Sequence, residues 1–151
     1  RLVISMVLVE YPFEDKRLRV ESMFSSYGDN YRKERSESVM TNAVNLVKRV
    51  NGLLDDLGWK DSIVVSSGWR PESINRAIGG AKNSYHTKGM AVDISDPYKR
   101  LAKAILERVE LLDKYELWME NPEKTSNWVH MDIGARGLVV NGVKRTRVFN
   151  P

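Results

Sequence analysis

The chain has 151 residues, of which 42% are apolar, and 24 Lys and Arg against 20 Asp and Glu give a net charge of +4. This length and composition suit one compact domain. Cysteine is absent, which excludes a disulfide framework and a thiolate metal site. The positive residues are scattered among negative ones, so the pattern favours an ordinary solvated surface over binding to anionic polymers. No nucleic-acid partner is expected.

The first 35 residues carry the weakest structural pattern. Residues 2–9 are apolar and β-branched, which predicts a strand, and residues 11–35 are typical of an irregular segment that packs on the domain. Residues 2–9 are also the longest candidate membrane span, but they are far shorter than the ~20 residues that cross a bilayer. Membrane insertion is therefore not expected. The sequence begins at Arg1 rather than Met, so it leaves the cellular location open.

Residues 36–151 contain the main elements without a linker or an internal repeat, which predicts a single domain overall. Ser36 is suited to cap a helix that stops at Gly58. A buried strand is expected over residues 63–66, and Pro71 is suited to begin a short helix that reaches Ala77. Apolar residues recur at helical spacing through the first helix, at Val39, Ala43, Val44, Val47, Val50, Leu54 and Leu57.

The second half predicts one more helix and several short strands. Residues 90–94 have strand composition, and Asp96 and Pro97 are expected to start a helix that reaches about Tyr115. Its buried face is predicted to hold Leu101, Ala104, Ile105, Val109 and Leu112. Further short strands are expected at residues 117–119, 128–133, 138–140 and 147–149. Together these elements predict an α+β fold with a small antiparallel sheet and two main helices.

The chain has only two histidines, and both precede an aspartate at short range. His86 precedes Asp93 across a turn that Gly89 permits, and His130 lies on a predicted strand. A site of two imidazoles and one carboxylate leaves a fourth coordination position for water, which is the arrangement of catalytic zinc. The sequence therefore indicates a metal site built from His86, Asp93 and His130.

Asp132 shares the strand face of His130, two residues further along the chain. It could accept a hydrogen bond from a ligand imidazole or from Arg70, or it could form a surface ion pair. The sequence leaves these alternatives open, and Asp132 is not predicted to bind the metal.

These residues resemble the zinc D-Ala-D-Ala carboxypeptidases and L-alanyl-D-glutamate endopeptidases, a family with phage endolysins, vancomycin-resistance dipeptidases and a hedgehog-like fold. The resemblance implies one zinc ion held by His86, Asp93 and His130, and the peptidoglycan stem peptide as substrate. The family pattern S-x-H-x-x-G-x-A-x-D followed by W-x-H is filled at every fixed position, by Ser84, His86, Gly89, Ala91, Asp93, Trp128 and His130.

An upstream segment, S-G-W-R-P at residues 67–71, is similar to the family's S-G-x-R-P segment. The resemblance gives Arg70 the role of holding substrate or the developing oxyanion, where a fixed cation opposes the negative charge. Ser84 and Trp128 are candidate substrate-binding residues. A turn-forming serine and a tryptophan of the core are the alternatives for these two positions.

The general base departs from the family pattern. Many members carry an acid three residues before the last histidine, but this position is Asn127, which cannot accept a proton at neutral pH. Glu120 resembles an acid that precedes the W-V-H element in phage-type relatives, so we predict Glu120 as the base and Glu123 as its reserve. If neither reaches the metal, the chain is a non-catalytic zinc-containing module that binds or supports the cell wall.

The resemblance to compact phage members favours cell-wall lysis by a phage or prophage, with a bacterial wall-remodelling carboxypeptidase as the alternative. We expect a monomer that acts at the bacterial cell wall. The spacing of the ligands distinguishes neither a D,D from an L,D bond nor a carboxypeptidase from an endopeptidase.

Overall fold

The structure is a computed structural model that describes residues 17–27 and 29–151. The described chain is an α+β fold with a small sheet and two main helical regions, which confirms the predicted fold class. The strand predicted over residues 2–9 lies outside the described residues. Among the residues described, no helix has both the length and the apolar character that crossing a membrane requires.

The first long helix, α1, spans Glu37–Leu57 and agrees with its prediction at both ends. Ser36 Oγ accepts a hydrogen bond from the Val39 N–H at 3.2 Å, and Gly58 ends the helix in the left-handed conformation, at φ 66°. Val44, one of the apolar residues that recur at helical spacing, is 49% exposed. The residues that α1 buries are Val39, Ala43, Leu46, Val47, Val50, Leu53 and Leu54.

Three shorter helices follow, and they correct the predicted second long helix. α2 spans Glu72–Ala77, α3 spans Arg100–Glu107 and α4 spans Glu110–Lys114, so the predicted single helix is two. The interruption leaves Val109 41% exposed rather than buried. Two helices also begin later than predicted. Pro71 is the cap of α2 rather than its first residue, and α3 begins at Arg100, after a turn, rather than at Pro97.

Among the described residues, the main sheet has five strands in the order β1-β2-β4-β3-β7, and β5 and β6 form a separate hairpin. The β1–β2, β2–β4 and β3–β4 pairs are antiparallel, as predicted, whereas β7 lies parallel to β3. The strands predicted after residue 35 are all present near their expected positions, and β6 was missed. The strands are β1 (Val65–Ser67), β2 (Ala91–Ser95), β3 (Trp118–Glu120), β4 (Trp128–Asp132), β5 (Val139–Val140), β6 (Val143–Lys144) and β7 (Val148–Phe149).

The two faces of the sheet have different surroundings. Val92, Ile94, Val129 and Met131 belong to the same hydrophobic core as the buried residues of α1. Side chains alternate along a strand, so the polar residues between them point to the opposite face. Packing of one face of β2 and β4 against the helices therefore places Asp93 and His130 together on the other.

The segment before α1 contributes to this core. Its described residues form two 3₁₀ helices, Val20–Met23 and Asp29–Glu34, and the Leu18, Met23 and Phe24 side chains are buried. The Leu18 N–H also donates to Asn51 Oδ1 of α1 at 3.0 Å. The described part of the irregular segment is thus packed against the long helix.

Candidate metal centre

His86 is held in place by its own backbone turn. It lies in a 3₁₀ helix, Tyr85–Lys88, that Ser84 caps. The His86 N–H donates a hydrogen bond to Ser84 Oγ at 3.2 Å. His86 Nδ1 lies 2.8 Å from the Gly68 carbonyl oxygen. A carbonyl can only accept a hydrogen bond, so Nδ1 carries the proton and Nε2 is left with its lone pair free. His86 Nε2 lies 3.4 Å from Asp93 Oδ2.

Asp93 and His130 face each other directly across the β2–β4 pair. His130 Nδ1 lies 2.9 Å from Asp93 Oδ1, and the two histidine rings have centroids 5.4 Å apart. The three candidate ligands each offer one atom, and these atoms lie within 4.8 Å of one another. Strand register thus brings together the two segments that the sequence motif keeps far apart.

Asp132 is fully buried beside His130, with 0% exposure. Its Oδ2 lies 2.7 Å from His130 Nε2, and the Arg136 guanidinium donates to both carboxylate oxygens. Asp132 thus hydrogen-bonds the candidate ligand His130, one of the alternatives left open by the sequence, and its ion pair is a buried one with Arg136 rather than a surface one. Sequence reasoning missed Arg136, because it follows β4 in a loop outside every motif.

The pKa values of Asp93 and His130 show how strongly these groups interact. Burial raises the pKa of Asp93, but hydrogen bonds from His130 and His86 outweigh it and bring the pKa to about 2. Burial lowers the pKa of His130, but hydrogen bonds to Asp132 and Asp93 raise it to about 9. Without a metal, His130 is therefore a cation between two carboxylates. A metal would compete with the proton on Nδ1.

The donor set fits zinc. Zinc binds imidazole nitrogen and carboxylate oxygen at about 2.0–2.2 Å in a tetrahedron, which places neighbouring donors about 3.3–3.6 Å apart. The His86 Nε2 to Asp93 Oδ2 distance of 3.4 Å lies in this range, and the His130 Nδ1 to Asp93 Oδ1 distance of 2.9 Å is slightly shorter. Each imidazole also has a hydrogen-bonding partner on its other nitrogen, as is usual for histidines that bind zinc.

A model of the peptidase M15 family matches residues 17–132, which is most of the chain and includes all three candidate ligands. The chain belongs to the peptidase M15 family. M15 is the zinc D-Ala-D-Ala carboxypeptidase family, so membership indicates a metallopeptidase that acts on a peptidoglycan-related substrate. A search of curated proteins found no match to the sequence.

The two acids predicted as general base, Glu120 and Glu123, lie in different elements of the fold. Glu120 ends β3, next to the pairs of Trp118 with Asp132 and of Met119 with Met131. Extending this register by one residue would bring Glu120 opposite His130. Glu123 is exposed in a 3₁₀ helix, Pro122–Lys124. Glu120 therefore ends a strand of the same sheet as Asp93 and His130, whereas Glu123 lies outside that sheet.

Arg70, Ser84 and Trp128 occupy three different surroundings near the ligands. The Arg70 N–H donates to the His86 carbonyl at 3.1 Å, and its guanidinium donates to Asn75 Oδ1 at 2.8 Å. The Ser84 hydroxyl caps the turn of His86, which agrees with a turn-forming serine. Trp128 is partly exposed on the strand face of His130.

Proposed function

We propose that this M15 domain is a zinc-dependent peptidase that hydrolyses a peptide bond in the stem peptide of peptidoglycan, with one zinc held by His86, Asp93 and His130. The observation that carries the proposal is the convergence of two imidazoles and one carboxylate, with their ligand atoms within 4.8 Å of one another. Zinc in such a site lowers the pKa of a bound water and polarises the scissile carbonyl.

Glu120 is the proposed general base, which takes a proton from the attacking water and returns it to the leaving amine. Its position opposite His130 in the strand register supports this role. The pKa of Glu120 is raised, first by burial and further by the charges of Asp93 and Asp132, while His130 and Arg136 oppose the shift. A raised pKa suits a carboxyl group that must both accept and release a proton near neutral pH.

Arg70 is the proposed electrostatic partner of the reacting carbonyl. Its backbone N–H donates a hydrogen bond to the His86 carbonyl, and its guanidinium donates one to Asn75, which is 2% exposed. A cation held on a rigid support can oppose the charge that develops on the substrate oxygen, without reorganising during the reaction. Trp128, on the same strand face as His130, is the proposed wall for the stem peptide. Ser84, whose Oγ accepts the His86 N–H, is a further proposed substrate contact through its hydroxyl proton.

Digestion of purified peptidoglycan tests the proposal. Fragments should be released by the zinc-loaded protein, not after treatment with chelator, and again after zinc is restored. Glu120→Gln should lower the rate by about 10²–10⁴-fold with its zinc content unchanged, because a general base contributes on this scale. Glu123→Gln is the matched control, an acid three residues away in an exposed turn, and should stay within about twofold of wild type.

If Glu123→Gln lost activity and Glu120→Gln kept it, Glu123 would be the general base instead. Mass analysis of the fragments would identify the cleaved bond as D,D or L,D. Activity against intact cells of a phage host, compared with isolated cell walls, would test the proposed role in phage or prophage lysis against bacterial wall remodelling.

A zinc-containing module without catalysis is the second candidate function, because Asn127 stands where many family members carry an acid. Asn127 is exposed, and its carbonyl accepts a hydrogen bond from the Asp96 N–H at 2.7 Å. Protein that contains one zinc per chain, binds cell walls and releases no fragment from any wall substrate would favour this module over the peptidase.

A further inference from the structure

Arg136 lies in the loop that follows β4, enclosed by a carboxylate and three aromatic rings. Its side chain is 18% exposed, although arginine is usually a surface residue. The guanidinium carbon is 3.9 Å from the Phe149 ring centroid, 5.1 Å from that of Tyr85 and 5.6 Å from that of Trp118. Such an enclosure restricts the guanidinium to one orientation.

That orientation fixes the carboxylate of Asp132. Arg136 binds the Asp132 carboxylate in a bidentate manner: Nη1 donates to Oδ1, and Nη2 lies 3.0 Å from Oδ2, to which it donates. The Gly134 N–H also donates to Oδ1, at 3.0 Å. Because Asp132 has no exposure to solvent, these donors together with His130 supply its hydrogen bonds.

The remaining contact of Asp132 determines which nitrogen His130 offers to a metal. Asp132 Oδ2 lies 2.7 Å from His130 Nε2, and a carboxylate held by a guanidinium is an acceptor. The proton of the neutral imidazole is therefore kept on Nε2, and the lone pair of Nδ1 points toward Asp93. Without a fixed acceptor, the ring could rotate or exchange the two nitrogens.

The same loop also contacts the segment of the other histidine. Tyr85, next to His86 in the chain, donates from its hydroxyl to the Ala135 carbonyl at 3.3 Å. Gly134 lies so close to the Tyr85 ring that an added Cβ would be 2.2 Å from Cε2. The Arg136 loop thus touches the turn of His86 as well as the strand of His130.

We propose that Arg136 is a positioning residue for the metal centre: by clamping Asp132, it holds His130 with Nδ1 directed at the metal, and its loop keeps the His86 turn in register. This proposal rests on the metal site of the proposed function. It predicts that metal affinity depends on a residue that touches neither the metal nor the substrate.

Zinc affinity, measured by competition with a chromophoric chelator, tests the role directly. Arg136→Met should weaken zinc binding by about 10–100-fold, the usual effect of losing an outer partner of a metal-binding histidine. Arg145→Met is the matched control, since Arg145 also lies over the Trp118 ring, at 5.2 Å, and its loss makes the same change of charge. The control should bind zinc within about threefold of wild type.

A chain with two histidines also allows a direct spectroscopic readout. In the ¹⁵N-labelled zinc-loaded protein, His130 should show a protected Nε2–H and His86 a protected Nδ1–H. In Arg136→Met the His130 Nε2–H should lose protection from exchange with water, while the His86 signal is retained. A merely structural role for Arg136 would leave the His130 proton protected in whatever fraction is folded.

A double-mutant cycle addresses variants that fold poorly. If Arg136 acts through Asp132, the combined Asp132→Asn and Arg136→Met protein should bind zinc no more weakly than the worse single variant. Arg136→Lys keeps the charge but loses the bidentate contact, so it should still bind zinc more than threefold less tightly than Arg145→Lys.

Equal zinc affinity of Arg136→Met and Arg145→Met, or effects that multiply in the double variant, would overturn the proposed positioning role alone. A wild-type protein that binds no zinc would instead overturn the proposed function together with this inference. The two failures are therefore distinguishable in one set of measurements.

Discussion

The charges of single residues at the metal centre depend on whether a metal is bound. Without metal, Asp93 has a pKa of about 2 and His130 has a pKa of about 9, because each supports the charge of the other. Asp132, Glu120 and Arg136 are the other charged groups around His130. Metal and proton therefore exclude each other at His130 Nδ1.

We expect the stability of the metal-free protein to fall in mildly alkaline solution. The folded pKa of His130, about 9, exceeds its ordinary value of 6.5, so its contribution is complete below pH 6.5 and is lost as the pH rises to about 9. The free energy of unfolding should drop by about 3 kcal/mol across this window. Urea unfolding of chelator-treated protein at several pH values measures the drop.

Two comparisons isolate the cause of this alkaline loss. His130→Gln has no titrating group at this position, so its stability should change less over the same window. Zinc-loaded protein has no proton to lose from His130 Nδ1 and should also be less sensitive. At the acid end, the contribution of Asp93 is present above pH 3.8 and is lost as the pH falls toward 2. The metal-free wild type should therefore be most stable between pH 3.8 and 6.5. A stability maximum at or above neutral pH would contradict this prediction.

At the scale of elements, local capping explains why some boundaries were predictable. α1 has a serine cap and a left-handed glycine at its ends, and both are visible in the sequence. α3 is different, because Asp96 caps it from several residues upstream, across a turn in which Lys99 has a φ of 59°. The Asp96 side chain accepts from the Leu101 N–H at 3.0 Å and from the Ala102 N–H at 2.9 Å.

Asp96→Ala should destabilise the protein by about 1–2 kcal/mol, because it leaves two buried N–H groups at the start of α3 without acceptors. Urea unfolding of zinc-free protein at neutral pH measures this change. Asp61→Ala is the matched control near the same helix, since Asp61 pairs with Arg100 at 2.8 Å where both side chains are about half exposed. It should cost less than about 0.5 kcal/mol. Equal losses in the two variants would show that Asp96 is not a specific cap.

At the scale of the whole molecule, the metal centre joins separate parts of the chain. His86 comes from a turn held against Gly68, Asp93 from β2 and His130 from β4. These segments meet only in the folded protein, so the intact site does not exist in the unfolded chain. Metal binding must therefore stabilise the fold.

Saturating zinc should raise the melting temperature. At a free zinc concentration 100-fold above Kd, binding adds about 2.7 kcal/mol, which corresponds to roughly 5–10 °C for a protein of this size. Differential scanning calorimetry with chelator and with zinc measures this shift. His86→Ala should show a much smaller shift, because one of the three ligands is lost. A variant shift equal to that of wild type would place the metal elsewhere.

The sequence by itself determined the fold class, the ends of α1 and the three candidate ligands. These follow from local patterns: apolar periodicity, a capping serine, and a motif that fixes the spacing of His86 and Asp93. Such local patterns can be recognised in the sequence without knowing which distant residues pack against them.

Only the tertiary structure decided which acid faces the ligands, what holds Asp132, and where the second helix breaks. Extending the β3–β4 register by one residue brings Glu120 opposite His130, and the loop after β4 turns Arg136 back onto Asp132. Neither relation has a fixed spacing in sequence, because each depends on how separate segments pair and pack. Long-range pairing, rather than composition, therefore completes this metal centre.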